Sequence, residues 1–444
     1  MIDPELNRST LRQTLVASGA FALLWFSWAS HEKTLFNGLA SPLFYALTAY
    51  LCFLSTQYEL VVSKKSLILF SLFAAWAVLT DARSGEFLPA LAVDAHWFVV
   101  PLAVVLIARA LREFPQTLLF LQIGAGLCIV NILLTMFFNA EWYDNWRHPP
   151  IFGHFRHMGL SIGFMTLLLC ARDESTGVLP IFLRASRILG MAVVVWTSTR
   201  AALLAWAIAF PFFLIADRKF AATLVVDLVV AAVLAQIPAP PSANASGVGI
   251  IQRTLSAASP ASRDILSGRL GIWESTLSAL DGVGGLWSGL GGNGFIRLQA
   301  VYGGAVRPPG HVHAHNFVVQ AVCDWGIVGT ALFGRFFVWS TLKPIFADWR
   351  RNDPTALSGV IYILTTGMFD ATLYHLEHIN YLVFALAWLF SRKAPAGDRG
   401  GVDAAPRTVR IPAGLIVAIL VGFVAVHWFS RDYRTGLGWY FPTQ

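Results

Sequence analysis

Apolar runs of about 15 to 25 residues dominate the sequence and constrain its fold more than any other feature. A helix needs about 20 apolar residues to cross the hydrocarbon core of a bilayer. The backbone of a spanning segment must satisfy its own hydrogen bonds, and these runs lack the alternating hydrophobicity of barrel strands. The runs therefore predict an all-α polytopic membrane protein.

The composition agrees with this prediction, because 56% of the 444 residues are hydrophobic and only 13% are charged. Soluble domains carry about 25% charged residues. The first apolar run is followed by many others, which favours a retained helix over a cleaved signal peptide. We place spanning helices near residues 11–30, 38–55, 66–80, 91–109, 116–138, 157–171, 187–199, 201–216, 219–237, 316–343, 356–374, 377–391 and 411–429.

Basic residues lie at the ends of apolar runs, in alternate connections. The positive-inside rule therefore puts these connections, and the start of the chain, in the cytoplasm. The net charge of +7 reflects this topology and does not indicate a nucleic-acid partner. Three parts follow: transmembrane helices in 1–237, an external loop with the candidate catalytic motifs in 238–315, and C-terminal transmembrane helices in 316–444.

The external loop 238–315 opens with a breaker-rich run and then contains an amphipathic segment. Its apolar residues recur at spacings of four and three, which predicts one face of a helix that lies at the membrane surface or packs on the bundle. These residues are Leu266, Leu270, Trp273, Leu277 and Leu280. Loops of this length usually carry function.

Two arginines in the outer part of the predicted topology suit a phosphate ligand. Arg200 follows Thr197-Ser198-Thr199 between two apolar runs, and Arg269 stands one helical turn before Trp273. Guanidinium is a planar fork of donors that matches phosphate oxygens. The alternatives are a snorkelling or topological arginine at Arg200 and an ordinary exposed arginine at Arg269.

Three histidines, His311, His313 and His315, lie where the loop re-enters the membrane. Zinc binding would need a further ligand and a supporting shell, and no acidic residue or cysteine is close in sequence. A second possibility is that the histidines are solvated and have no role. A third is that one of them is a general base, since neutral histidine accepts a proton near neutral pH.

The run from Gly289 to Gly294 matches G-x-G-x-x-G, but a dinucleotide site also needs an enclosing βαβ unit. We expect a permissive turn beneath the histidines instead.

Polar residues close to a bilayer are functional candidates by default. Two weaker external groups comprise Arg147, His148, His154, Arg156 and His157, and then Asp370, His375, Glu377 and His378.

The order of these motifs resembles the bacterial O-antigen ligase and polymerase superfamily. A Ser/Thr-x-Arg turn ends at Arg200, a Gly-Arg…Trp helix contains Arg269 and Trp273, and a glycine-rich turn follows. His313, His315 and Asn316 then form a His-x-His-Asn motif, with Gly326 and Gly329 downstream.

The resemblance implies a GT-C-like membrane glycosyltransferase with many transmembrane helices, usually twelve, so that we expect 12–13 here. It implies inverting transfer on the periplasmic side of a Gram-negative inner membrane, from an undecaprenyl-diphosphate-linked O-antigen to a lipid A-core hydroxyl. On that scheme Arg200 and Arg269 bind the diphosphate, and His315, or else His313, is the base. No cofactor or metal is implied.

Three alternatives stay open. An O-antigen polymerase or a protein O-oligosaccharyltransferase would share the donor and differ in the acceptor. A transporter or flippase for a lipid-linked glycan belongs to a different class, and such proteins often show paired halves with broken helices near the midplane. The sequence shows no such pairing. It leaves open the glycan, the accepting core sugar and the oligomeric state.

Overall fold

The computed structural model describes residues 59–113, 116–138, 155–171, 177–197, 199–236, 269–301, 313–347, 349–370, 372–374, 376–392, 408–412 and 418–422. These residues are mostly helical. The helices are α1 (Lys64–Arg83), α2 (Phe87–Glu113), α3 (Gln116–Phe138), α4 (Phe155–Leu168), α5 (Val178–Trp196), α6 (Arg200–Ala216), α7 (Arg218–Leu234), α8 (Arg269–Gly282), α9 (Gly294–Val301), α10 (Phe317–Phe337), α11 (Pro354–Phe369) and α12 (Leu376–Ser391).

The prediction of an all-α polytopic membrane protein is confirmed. Five described helices are long and apolar enough to cross a membrane, and three shorter apolar helices accompany them. Each expected span from 66–80 to 377–391 coincides with one of these helices or with α4 or α7. The expected spans 11–30, 38–55 and most of 411–429 lie outside the described residues, so the number of spans stays a prediction.

One small sheet departs from the all-α expectation. Strands β1 (Glu59–Ser63) and β2 (Thr408–Pro412) pair antiparallel, with Glu59 opposite Pro412 and Ser63 opposite Thr408. Because β1 leads directly into α1, this pairing ties the start of the described bundle to the segment that follows α12. Nothing in the apolar periodicity marks these strands.

The bundle core is built from helix pairs packed at close range. α2 packs on α12, α6 on α11, and α1 on α10. Aromatic rings fill the space around Trp325, with Phe73 in edge-to-face contact at 4.8 Å and Phe333 at 5.4 Å between ring centroids. Such pairs stabilise a packed core beyond their buried area. Cys128, Cys170 and Cys323 are buried and unbridged within this apolar interior.

Helix α5 begins earlier than the expected span 187–199, because two arginines inside it are paired. Arg184 and Arg187 both bind Asp227 of α7, one on each carboxylate oxygen. Asp227 is fully buried, and only Arg187 is buried with it. Arg187 is accommodated inside the bundle because its partner Asp227 is buried with it.

Replacing Asp227 with alanine is expected to lower the free energy of unfolding by roughly 3–5 kcal/mol, because Arg187 would remain buried without a counter-charge. Arg184→Ala is the matched control. It is expected to cost below about 1 kcal/mol, since Arg184 is half-exposed and Arg187 still pairs with Asp227. Thermal unfolding of the detergent-solubilised variants measures both. Equal losses would show that burial does not govern this ion pair.

Helix α10 is broken at Gly326, whose φ of 69° and ψ of 180° are not helical. The glycine-rich turn satisfies the backbone groups that this break frees. The amide of Gly291 donates to the carbonyl of Asp324 at 2.9 Å, and the amide of Ile327 donates to the carbonyl of Leu286 at 2.9 Å. Beyond Phe337, α10 continues through a π-helical turn to Ala347.

Three buried carboxylates fix the glycine-rich turn and the broken helix in place. Asp81 accepts a hydrogen bond from the amide of Gly292 at 2.8 Å, and Asp324 accepts one from the amide of Gly294 at 2.6 Å. Asp94 accepts a bond from the Trp325 indole at 2.9 Å. The turn is therefore docked into the bundle, with Gly289 and Gly291 at positive φ.

Candidate functional site

The chain from His313 to Asn316 leads into α10 and is held at its end by a helix cap. The Asn316 side-chain oxygen accepts hydrogen bonds from the amides of Val318 and Val319, at 2.8 and 3.1 Å. Asparagine favours this position because its side chain satisfies amides that lack a partner in the helix. The side-chain nitrogen of Asn316 donates to the carbonyl of Met368, at 3.0 Å. The cap thus also fixes this segment to α11.

Ala314, between the two described histidines, is held on both sides of its backbone. Its amide donates to the Gln320 side chain at 3.1 Å, and its carbonyl accepts from the Trp273 indole at 2.9 Å. His315 follows with a φ of 52°, in the left-handed region that non-glycine residues rarely adopt. Such backbone strain costs about 1–3 kcal/mol and persists where surrounding contacts enforce it.

Asp370, immediately after α11, is the centre of the polar cluster. Its Oδ1 lies 3.0 Å from Nδ1 of His315, and its Oδ2 lies 3.6 Å from a guanidinium nitrogen of Arg269. The aspartate is buried and only 15% of the Arg269 side chain is exposed. One carboxylate therefore links the start of α8 to the histidine segment before α10.

The charge state of Asp370 follows from its neighbours. Burial by itself would raise the pKa of this carboxyl. The hydrogen bond with His315 and the charges of His315, His313 and His157 more than offset that effect and hold the pKa well below its usual range. Asp370 is therefore an ionised acceptor, to which Nδ1 of His315 donates a hydrogen bond.

His313 lies directly beside His315, with ring centroids 4.1 Å apart and ring planes at 81°. One ligand atom from each of His313, His315 and Asp370 lies within 4.8 Å of the other two. These three residues could hold a metal ion. The acidic ligand that the sequence lacks near the histidines is supplied from 55 residues away.

Helix α4 carries a third histidine that acts on this cluster and a glycine that packs on the turn before Arg200. His157 contributes to the electrostatics of Asp370. Two residues later Gly159 packs on that turn, where an added Cβ would lie 2.4 Å from the Thr199 hydroxyl and 2.5 Å from the Thr197 hydroxyl. Arg200 is exposed and opens α6 directly after this turn.

The structure thus brings together Arg269, His313 and His315, with His157 close enough to act on the same carboxylate. Trp273 holds the histidine segment, and Arg156 is exposed at the start of α4. Some sequence candidates lie outside the described residues. These are Arg147, His148, His154, Ser198, Gly268, His311 and His375.

Two residues of the site were not singled out by the motifs. In the sequence, Asp370 belongs only to a loose external group with His375, Glu377 and His378, and Gln320 belongs to no motif. The sequence feature that could have identified Asp370 is its position at the end of an apolar run, where a carboxylate is a functional candidate. Gln320 is one helical turn after Asn316, but only the fold shows that it binds the backbone of Ala314.

The predicted apolar face of α8 is partly wrong. Leu270 is 60% exposed, whereas Ile272 and Leu280 are buried among side chains of α9 and α10. Trp273 and Leu277 pack against the same cluster as partly buried residues, as expected. The helix is rotated because Trp273 turns towards the carbonyl of Ala314 and Arg269 turns towards Asp370.

Replacing Trp273 with phenylalanine is expected to lower the turnover of the site about 5- to 20-fold. The ring still fills the space, but the bond to the Ala314 carbonyl is lost, which is worth about 1–2 kcal/mol. Trp287→Phe, at a largely exposed tryptophan, is the matched control. The kcat and KM of purified variants test this. Unchanged kcat in Trp273→Phe would show that the indole bond does not position the histidines.

Residues 185–334 match the sequence model of a protein family described as "O-Antigen ligase". This part of the chain is similar to that family. The resemblance to the O-antigen ligase and polymerase superfamily is thereby confirmed. No curated protein matches the chain significantly.

The matched region runs from α5 to within α10 and contains Arg200, Arg269, His313 and His315. Asp370 lies beyond it. The match indicates a function of the O-antigen ligase or polymerase type, performed by a glycosyltransferase-like enzyme in a multi-pass membrane protein. Lipid-linked glycans and membrane lipids are the partners that the match suggests.

Proposed function

We propose that the chain is an O-antigen ligase that transfers an undecaprenyl-diphosphate-linked glycan to a hydroxyl of the lipid A-core. The observation that supports this most is the cluster of His315, Asp370 and Arg269, in which a candidate base lies next to a candidate phosphate-binding arginine. We place the site on the periplasmic side of the inner membrane. Its motifs lie in the loop 238–315 between the helical parts 1–237 and 316–444, and Asp370 belongs to the second of these parts.

His315 is the proposed base. In this scheme a neutral His315 donates from Nδ1 to the Asp370 carboxylate, 3.0 Å away, and takes up the proton of the acceptor hydroxyl on Nε2. A buried carboxylate that orients a histidine and stabilises its charged form is the arrangement found in hydrolytic triads. His313 contacts the His315 ring edge to face and is the second candidate.

The reaction on this proposal is a single displacement. The acceptor oxygen attacks the anomeric carbon from the face opposite the diphosphate, and its proton passes to Nε2 of His315. The bond between the anomeric carbon and the diphosphate oxygen breaks, and the configuration inverts. Arg269 and Arg200 stabilise the negative charge that develops on the leaving diphosphate. These two cations would supply the charge without a metal ion.

A reconstitution tests the proposed function. Purified protein receives an undecaprenyl-diphosphate-linked glycan and rough lipopolysaccharide, with a chelator present, and the products are separated by electrophoresis. We expect slower-migrating lipopolysaccharide with wild type, and none with Arg200→Ala, Arg269→Ala or His315→Ala. Asp281→Ala is the control, since Asp281 is an exposed residue of α8.

Other outcomes of this experiment would contradict the proposal and indicate which alternative function the protein has. Longer lipid-linked glycan without a change in lipopolysaccharide would indicate a polymerase. Glycan attached to an added acceptor protein would indicate a protein O-oligosaccharyltransferase. Movement of the lipid-linked glycan across proteoliposomes without new product would indicate a transporter or flippase.

A further inference from the structure

We propose that His313, His315 and Asp370 form a binding site for Zn²⁺, and that zinc bound there inhibits the enzyme. Two imidazoles and one carboxylate are ligands that zinc favours, with the fourth position left to water. The binding of zinc does not depend on the proposed function. Its inhibitory effect does, because the metal would occupy the residues proposed for proton transfer.

The distances of the cluster suit zinc. Zinc–ligand bonds of about 2.0–2.1 Å at tetrahedral angles separate two ligand atoms by roughly 3.3 Å. Nδ1 of His315 and Oδ1 of Asp370 are 3.0 Å apart, and the ligand atoms of all three residues lie within 4.8 Å of one another. A shift of about 1 Å or less per ligand therefore completes the three-ligand geometry.

The ligands are held in place before any metal arrives. Trp273 and Gln320 fix Ala314 between the two histidines, and the Asn316 cap fixes the next residue. Arg269 binds Oδ2 of Asp370, which orients the carboxylate with Oδ1 towards His315. Support of this kind around the ligands strengthens metal sites by about 10- to 100-fold.

Zinc binding also predicts how transfer is inhibited. The metal takes the position of the proton between Nδ1 of His315 and Oδ1 of Asp370, and that proton leaves to solvent. Nδ1 of His315 then binds the metal instead of donating to Asp370, so the aspartate no longer stabilises the protonated ring that forms when Nε2 takes up the proton of the acceptor hydroxyl. The charge of Arg269 opposes the incoming cation, so affinity is limited by this guanidinium.

The test measures zinc binding to tag-free full-length protein in detergent, by competition with a zinc-sensitive dye. We expect one equivalent for wild type and a loss of affinity of about 10- to 100-fold in His313→Ala, His313→Gln and Asp370→Asn. Asp281→Asn, at an exposed carboxylate of α8, should bind like wild type. Arg269→Gln should bind zinc at least as tightly, since the opposing charge is removed.

The same samples distinguish this inference from the proposed function. Zinc should raise the unfolding temperature of wild type, but not that of His313→Gln, whatever reaction the enzyme performs. In the transfer assay, zinc should inhibit and a chelator should restore the rate. Zinc binding that His313→Gln retains, weak binding by wild type, or a rate that zinc increases would overturn the inference.

Discussion

Asp370→Asn is expected to lower the kcat of glycan transfer by about 100- to 1,000-fold with little change in the folded protein. The amide cannot stabilise a charged His315, and its nitrogen can donate to Nδ1 and so reverse which ring nitrogen carries the proton. A similar exchange in a hydrolytic triad costs about 10⁴-fold. The amide also loses the ionic contact with Arg269.

Asp281→Asn is the matched control for this exchange, because Asp281 is exposed on α8. It makes the same chemical change outside the cluster and should leave kcat within about two-fold of wild type. Steady-state kinetics with the lipid-linked donor, and the unfolding temperature of each variant, provide the comparison. Full activity in Asp370→Asn with normal folding would remove Asp370 from the proton-transfer scheme.

Gly289→Ala is expected to lower the free energy of unfolding by more than about 4 kcal/mol and to abolish transfer. An added Cβ would lie 2.3 Å from the carbonyl oxygen of Asp324 and 2.6 Å from the amide of Gly326, and neither backbone atom can move away easily. The φ of 75° adds further strain. Undocking the turn would also expose the backbone groups that the break in α10 leaves unpaired.

Gly284→Ala separates the clash from the backbone strain. Gly284 has a φ of 72°, but nothing lies within 4 Å of an added Cβ. This control should cost only about 1–2 kcal/mol, the strain of a left-handed alanine. Equal losses in the two variants would show that the docked turn contributes nothing beyond its backbone conformation.

The apolar runs predicted the helices well, because a lipid environment leaves the backbone few other ways to satisfy its hydrogen bonds. The start of α5 was misplaced because Arg184 and Arg187 are accommodated by Asp227 on another helix. Leu270 was placed on the wrong side of α8 because the polar contacts of Arg269 and Trp273 decide the rotation of that helix.

The candidate site was predictable only where its residues lie in local sequence motifs. Arg269 and His315 lie in motifs with a fixed order, so a single sequence indicates them. Asp370 acts through a contact between residues 55 positions apart, and no local pattern encodes that contact. The docking of the glycine-rich turn likewise depends on the break at Gly326, which the sequence shows only as one more glycine in an apolar run.

On the proposed function, the lipid-linked diphosphate reacts at the cluster of Arg269, His315 and Asp370. The most direct measurement is a single-turnover assay with radiolabelled undecaprenyl-diphosphate glycan, acceptor lipid and excess enzyme. Wild type should release undecaprenyl diphosphate as labelled acceptor forms, whereas Arg269→Ala and His315→Ala should leave the donor intact. Release at the wild-type rate by either variant would contradict the assignment of this cluster as the reaction site.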